Sequence, residues 1–230
     1  MSARVGAGVL LVALPVAFNV VFTLLARGFG YPDVLRQPTG VILARFRAGG
    51  SRLILLWWAF VVTSLALAPT ALLLAGALAD AGTTAVLLMA GSGLLSALVQ
   101  VLGLARWPFL VPFLAQAAAE PDAPAGRAEA VEVVFQAFHR YLGVAVGEHL
   151  GYLLTGAWTA SVAGAVLAGD TLPAWLGLVG LVLAPLFVVG SLEFVGRTGE
   201  RGWPVAERIV PVVYIAWSLW LVAVGVTLLL

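Results

Sequence analysis

Residues 142–167 read LGVAVGEHLGYLLTGAWTASVAGAVL, a stretch whose only acidic or histidine side chains are Glu148 and His149. A helix needs about 20 mostly apolar residues to cross the hydrocarbon core of a bilayer, and this stretch is long enough. A helix at the surface of a soluble domain would instead be apolar along one face only. The stretch therefore predicts a helix that spans a membrane.

Five further runs have the same character, at 5–26, 53–77, 85–104, 173–195 and 209–230. The chain is 62% hydrophobic and 10% charged, whereas a soluble domain carries about 25% charged residues. A small soluble domain has too much surface to hide so many apolar residues. We therefore predict an all-α, polytopic membrane protein with about six transmembrane helices, in which residues 1–230 form a single integral membrane domain.

Arginine placement predicts the orientation of these helices. The loops after the second and fourth helices contain Asp80 and Asp170 and no arginine. All arginines except Arg4 lie in or beside the loops after the first, third and fifth helices: Arg27, Arg36, Arg45, Arg47, Arg52, Arg106, Arg127, Arg140, Arg197, Arg201 and Arg208. Because cytoplasmic loops carry the excess of basic residues, we expect these three loops in the cytoplasm and both termini outside.

The cytoplasmic loops are expected to contain two amphipathic helices. In YPDVLRQPTGVILARFRAGG (31–50), Ile42 and Phe46 lie beside Arg45 and Arg47, which predicts a short interfacial helix on anionic lipid. Residues 128–141 alternate apolar and charged side chains at helical spacing and predict a cytoplasmic extension of the fourth transmembrane helix. His139 is expected to be solvated there. Tryptophans near the helix ends are expected as interfacial anchors: Trp57, Trp58, Trp107 and Trp175.

Two carboxylates inside the predicted spans, Glu148 and Glu193, point to a polar site, because charge within a membrane is costly. At about 100° per residue, Glu148, Tyr152, Thr155 and Thr159 share one stripe of the fourth helix, with His149 on the same side. Another face carries small residues that permit close helix contact: Gly143, Gly147 and Gly151.

Other polar residues are predicted at a similar depth, so that one pocket would open to the cytoplasm. The predicted ligand-binding set is Glu148, His149, Tyr152, Thr155, Arg106, Glu193, Gln100 and Asn19. We expect Glu148 to be ionised and paired with Arg106 or His149. The alternative is a purely structural network that clamps the helices together, in which Ser and Thr bond their own helix backbone.

The sequence lacks the residues that several kinds of catalysis and ligand binding require. The chain has no cysteine and no lysine, which excludes thiolate catalysis and Schiff bases. His139 and His149 lie about 15 Å apart on one helix, too far to clamp one metal ion. A net charge of +1 disfavours nucleic acid. We therefore predict no metal, no cofactor and no catalytic set.

Four stretches together resemble one known family: YPDVLRQPTGVILARFRAGG, RWPFLVPFLA, VVFQAFHRYLGVAVGEHLGYLLTGAWT and the LEF near Glu193. They resemble, in the same order along nearly the whole chain, the bacterial and archaeal membrane family DUF4386, a domain of unknown function. The resemblance implies a multi-pass helical protein of the cell membrane of a prokaryote, and it implies no activity.

The sequence favours a non-enzymatic function, which is the binding of a small or lipid-like ligand, or of a partner, through the cytoplasmic pocket. The expected surroundings are the lipid bilayer, and a homo-oligomer is left open. One alternative is a small proton-coupled transporter that uses Glu148 and Glu193, although such proteins usually place charge near the midplane and show internal repeats. A second alternative is an intramembrane enzyme or a haem-binding protein.

Overall fold

The computed structural model describes residues 2–120, 124, 126–196 and 202–230, and the regular structure within these ranges is helical. Six helical segments are long and apolar enough to cross a membrane, and we number them span 1 to span 6. They are Ala3–Phe29, Thr39–Ala77, Thr83–Ala117, Arg127–Ala168, Ala174–Ser191 and Pro204–Leu229. The predicted all-α, polytopic membrane fold is therefore confirmed.

Three of the spans are interrupted helices. Span 2 consists of α2 (Thr39–Leu65) and α3 (Leu67–Ala77), and span 3 consists of α4 (Thr83–Phe109) and α5 (Val111–Ala117). Both breaks lie a few residues before a proline, Pro69 or Pro112, because proline cannot donate to the carbonyl four residues earlier. Span 4 consists of α6 (Arg127–Phe138), a π-helical segment (His139–Leu150) and α7 (Gly151–Ala168).

The other spans are single helices, α1 (Ala3–Phe29), α8 (Ala174–Ser191) and α9 (Pro204–Leu229). Short 3-10 helices occupy Asp33–Arg36 and Ala79–Ala81. Each span packs against the one before and the one after it, and span 6 packs against span 1. The six spans therefore form a closed ring in chain order.

The basic helix predicted in the loop after span 1 is present as the first part of α2. Gly50 ends this part with a backbone φ of 52°, a left-handed conformation that favours glycine. Its apolar residues Ile42, Leu43 and Phe46 are buried, and Arg45 and Arg47 are exposed. The expectation that its apolar face lies on lipid is wrong, because Phe46 packs on Phe29 and Trp107 with ring centroids 5.9 Å away in each case.

Two of the four predicted interfacial tryptophans are instead core residues. The rings of Trp57 and Trp107 are stacked 4.4 Å apart, and their exposed fractions are 0% and 1%. Trp58 and Trp175 remain exposed, as an interfacial position requires. Trp57 and Trp107 form the centre of the core at one end of the bundle, which also contains Phe135 of α6.

The two ends of the ring differ in charge. At one end, which we call the arginine-rich end, lie all the described arginines except Arg4. At the other end, the Asp80 end, the loops after spans 2 and 4 are joined by one carboxylate. Asp80 Oδ2 accepts hydrogen bonds from the backbone N–H of Asp170 (3.0 Å) and of Thr171 (3.2 Å), and from the Thr171 hydroxyl (2.9 Å). The hydroxyl of Thr171 contributes most to lowering the pKa of Asp80.

Candidate functional site

The glycine ridge sets the rotation of span 4. A Cβ added to Gly147 would lie 3.0 Å from the Cα of Gly103 in span 3, so the two backbones touch. A Cβ at Gly143 would meet the guanidinium of Arg106, and one at Gly151 would lie 3.5 Å from Gln100 Cγ. All three glycines therefore face α4, and a different face of span 4 is left for the polar residues.

Arg106 is bound within the interface between spans 3 and 4. Its exposed fraction is 8%, and its Nη1 donates to the carbonyl of Gly103 in the preceding turn. Its Nη2 lies 3.4 Å from His139 Nδ1, and its guanidinium lies 5.2 Å from the ring centroid of Trp107. His139, which we expected to be solvated, is half-buried against Arg106 and stacks on Phe135 at 5.8 Å.

His149 connects span 4 to the end of span 5, since its Nδ1 lies 2.7 Å from the carbonyl oxygen of Ser191. The expected pairing of Glu148 with Arg106 or His149 is therefore not seen. Within the part of the chain that the structure describes, the half-buried Glu148 carboxylate has no hydrogen bond and no ion pair. Arg106 lies within electrostatic range of it without contact.

Three tyrosines lie near this carboxylate. Tyr31, Tyr152 and Tyr214 each lie within electrostatic range of Glu148, and each is half-buried. None of their hydroxyls has a hydrogen-bond partner among the described residues. We call these four residues the Glu148 cluster. It joins the loop after span 1 (Tyr31) to span 4 (Glu148 and Tyr152) and span 6 (Tyr214).

The polar atoms of the Glu148 cluster lack hydrogen-bond partners among the described residues but are not fully buried. Among the described residues, the fully buried side-chain nitrogen or oxygen atoms without a hydrogen-bond partner are the indole nitrogens of Trp57 and Trp158. The carboxylate and phenol oxygens are not among them, so they retain some accessible surface. Unpaired polar groups in a folded protein are usually satisfied by water or by a ligand.

Aromatic rings pack behind the tyrosines. Tyr214 lies 5.7 Å from Tyr152 and 5.2 Å from Phe187 between ring centroids, both edge to face. Tyr31 lies 5.1 Å from Trp57 and 5.5 Å from Phe22, also edge to face. The three tyrosines therefore pack among aromatic side chains contributed by spans 1, 2, 4, 5 and 6.

Glu193 belongs to a neighbouring ion-pair network. Arg36 Nη2 lies 2.8 Å from Glu207 Oε1 and 3.9 Å from Glu193 Oε1, and Arg36 Nη1 lies 3.4 Å from Asp33 Oδ1. Glu193 follows the end of α8 and has an exposed fraction of 8%. Arg197, four residues after Glu193 in the sequence, lies outside the described residues. The network connects the loop after span 1 to the segments on either side of the loop between spans 5 and 6.

Gln100 and Thr155 meet in a separate polar layer. The hydroxyls of Ser96 and Thr155 lie 2.9 Å apart, and Gln100 Nε2 donates to both, at 3.0 Å and 3.3 Å. The indole N–H of Trp217 donates to Thr159 Oγ1 at 2.9 Å, one turn further along span 4. This layer links spans 3, 4 and 6, and its groups satisfy one another.

Asn19 lies apart from these groups. Its Nδ2 donates to Ser218 Oγ at 3.0 Å and to the Pro15 carbonyl at 2.7 Å, so it joins span 1 to span 6. A shallow depression beside it is lined by Val16, Val20 and Leu24, and a second depression at the arginine-rich end is lined by Arg47 and other residues. Neither depression includes Glu148.

The structure adds residues that the sequence did not single out. Tyr31 lies in a loop and Tyr214 is the only tyrosine of span 6, so helical periodicity did not predict that either residue lies near Glu148. Ser96 lies one turn from Gln100 on α4, and that spacing was an available signal. Within the described ranges, no three His, Asp or Glu side chains converge as metal ligands.

Comparison with known proteins gives one match. Residues 6–225 match the family model described as "Domain of unknown function (DUF4386)". No curated protein and no solved structure matches the chain. The family match covers nearly the whole bundle, including the Glu148 cluster and the ion-pair network of Arg36. The chain is therefore a member of the DUF4386 family, as a multi-pass membrane protein of six spans.

Proposed function

We propose that this protein is a ligand-binding protein of a prokaryotic cell membrane, with its arginine-rich end in the cytoplasm. The ligand is a small or lipid-like molecule held at the Glu148 cluster, and the protein carries out no chemistry on it. The observation that carries the proposal is the unpaired state of Glu148, Tyr31, Tyr152 and Tyr214. Four polar groups without protein partners inside a membrane-spanning ring are costly unless something binds them.

The surrounding contacts favour a binding site over a helix clamp. A clamp requires the carboxylate to bond a neighbouring helix, whereas Glu148 bonds none among the described residues. The contacts that do join the helices at this end involve Arg106, His149 and Arg36. Since other residues already hold the spans together, Glu148 is available for a ligand.

The same carboxylate supports a second candidate, a proton-coupled carrier. An unpaired carboxylate within a span can take up and release a proton when its surroundings change. Reconstituted vesicles with a pH-sensitive dye inside separate the two functions. A carrier would change the internal pH when substrate is added, and a binding protein would leave it constant.

Native mass spectrometry of the protein released from its own membranes tests the proposed function. We expect a bound small molecule or lipid on the wild-type protein that is lost in Glu148→Gln. Glu132→Gln is the matched control, because Glu132 is an exposed carboxylate on α6. The same bound species on all three proteins, or none on any of them, would contradict the proposal.

A further inference from the structure

We propose that the ligand of the Glu148 cluster is an organic cation, whose amine or ammonium group lies against the carboxylate of Glu148 and the phenols of Tyr31, Tyr152 and Tyr214. This inference rests on the proposed function, because it names the ligand class of the same site. It follows from the charges, the aromatic rings and the hydrogen-bonding groups that the site presents.

The Glu148 carboxylate has no positively charged group in direct contact with it among the described residues. Arg106 is held by Gly103, His139 and the ring of Trp107, and Arg36 is held by Glu193 and Glu207. Among the charged groups within electrostatic range of Glu148, which are Arg106, Arg36 and Glu193, none contacts its carboxylate, and Arg106 has no carboxylate partner among the described residues. Glu148 therefore has no cation in contact with its carboxylate, and a bound cation would supply that contact.

The tyrosines suit a cationic group in two ways. The face of an aromatic ring attracts a cation within about 6 Å of its centroid. A phenol oxygen also accepts a hydrogen bond from an N–H donor. The hydroxyls of Tyr31, Tyr152 and Tyr214 have no partner among the described residues and retain accessible surface. Both interactions favour a positive charge beside the tyrosines.

An organic cation fits better than a metal ion. Calcium takes six to eight oxygen ligands, usually with several carboxylates, and zinc wants three or more protein ligands. The described residues supply one unpaired carboxylate here and no converging set of three His, Asp or Glu. Aromatic packing by Phe187 and Phe22 behind the tyrosines provides an apolar surface that suits the carbon skeleton of an organic ligand.

The absence of cysteine allows a direct test of charge preference. Tyr152→Cys places one thiol in the cluster and leaves Tyr31, Tyr214 and Glu148 intact. This variant is treated in membranes with a cationic and an anionic methanethiosulfonate, which carry trimethylammonium-ethyl and sulfonato-ethyl groups. Each rate is divided by the rate at Ala118→Cys, an exposed position at the same end of the bundle. Tyr214→Cys repeats the measurement from span 6.

We expect the cationic reagent to react about tenfold faster than the anionic one after this normalisation, since a charged cleft changes association rates by 10-fold or more. We also expect its rate to saturate with concentration, because reversible binding precedes the attack. Adding Glu148→Gln should return the normalised ratio to about one, whereas Glu132→Gln should leave it unchanged.

The outcomes separate this inference from the proposed function. Equal normalised rates for the two reagents, a faster anionic reagent, a rate that never saturates, or a preference that survives Glu148→Gln would overturn the organic-cation assignment alone. No reaction of either reagent at both Tyr152→Cys and Tyr214→Cys would mean that the cluster is closed, and it would overturn the proposed function as well. The ratio of the two reagent rates at Tyr152→Cys and Tyr214→Cys, measured with Glu148 present, does not depend on whether the Glu148→Gln variant folds.

Discussion

Gly147 lies where the backbones of spans 3 and 4 touch, opposite Gly103. A leucine there has no free volume, so Gly147→Leu should separate the two helices and lower the free energy of unfolding by about 3 kcal/mol or more. Gly164, on the same span, has nothing within 4 Å of an added Cβ. Thermal unfolding in detergent should therefore show a large loss for Gly147→Leu and little change for Gly164→Leu. Equal tolerance would mean that span 4 is rotated from its place here.

Arg106 and Glu148 lie close together but should respond differently to neutralisation. Arg106→Gln removes a buried guanidinium that bonds Gly103 and contacts His139 and Trp107, and it should lower the free energy of unfolding by about 1–3 kcal/mol. Glu148→Gln breaks no bond to a described residue and should cost much less. Melting temperatures of the two purified variants check this order. A larger loss for Glu148→Gln would support the helix-clamp alternative.

At the scale of residues, the sequence predicted the chemically unusual positions and missed their partners. Glu148, Gln100 and Thr155 stand out because polar side chains are rare and costly within spans. Tyr31 could not be placed beside Glu148, because its position depends on how a loop folds back on the bundle. The contact of Arg106 with His139 was also not predictable, since it arises from the close approach of two helices.

At the scale of elements, the π-helical segment His139–Leu150 limits how far helical periodicity applies to span 4. A π-helix has i→i+5 hydrogen bonds and turns less per residue than an α-helix, so an angle of 100° per residue does not hold across it. The predicted polar stripe divides between Tyr152, in the Glu148 cluster, and Thr155, in the layer with Gln100; both residues lie in α7, so their different neighbours cause the division. Such segments in other proteins often occur at functional sites.

The hydrogen bonds between Asp80 and the loop after span 4 are a contact between elements that can be tested directly. Asp80→Asn weakens three hydrogen bonds to the loop after span 4 and should lower the free energy of unfolding by less than about 1 kcal/mol, because the group is exposed. Since the pKa of Asp80 is lowered below its ordinary 3.8, the contribution is complete above about pH 4. It should be lost as the pH falls through that lowered pKa.

Asp170→Asn is the matched control, because Asp170 contacts Asp80 only through its backbone N–H and its side chain is exposed. Unfolding of the three proteins at pH 7 and at about pH 3 should show a difference between wild type and Asp80→Asn that shrinks at the lower pH. A difference that grows on acidification, or an effect of Asp170→Asn as large as that of Asp80→Asn, would contradict this account.

At the scale of the whole molecule, hydropathy was sufficient to predict the six spans, because a helix in lipid must satisfy its own backbone and cover itself with apolar side chains. The ring order of the spans was not predictable in this way. It depends on which small residues, such as Gly103 and Gly147, allow helices to touch, and on which aromatic residues fill the interior. Trp57 and Trp107 show this, since their positions near span ends suggested lipid contact and tertiary packing buried them.

The orientation of the ring is the molecular property on which cytoplasmic access to the Glu148 cluster depends. Because the basic loops are concentrated at one end, a reporter fused after Leu230 should report the outside, and one inserted near Pro124 should report the cytoplasm. An alkaline phosphatase and fluorescent protein pair provides the measurement. The opposite pair of readings would move the cluster to the external half of the membrane.

The most direct test of the central claim is an experimental density map of the protein in a lipid nanodisc, at a resolution that shows ordered water. We expect non-protein density within hydrogen-bonding distance of the Glu148 carboxylate, bounded by Tyr31, Tyr152 and Tyr214. That density would be water in a protein stripped of ligand, and a larger molecule in a protein purified gently from its own membrane. A Glu148 that faces lipid, or one bonded by Arg106 with no density beside it, would contradict the account.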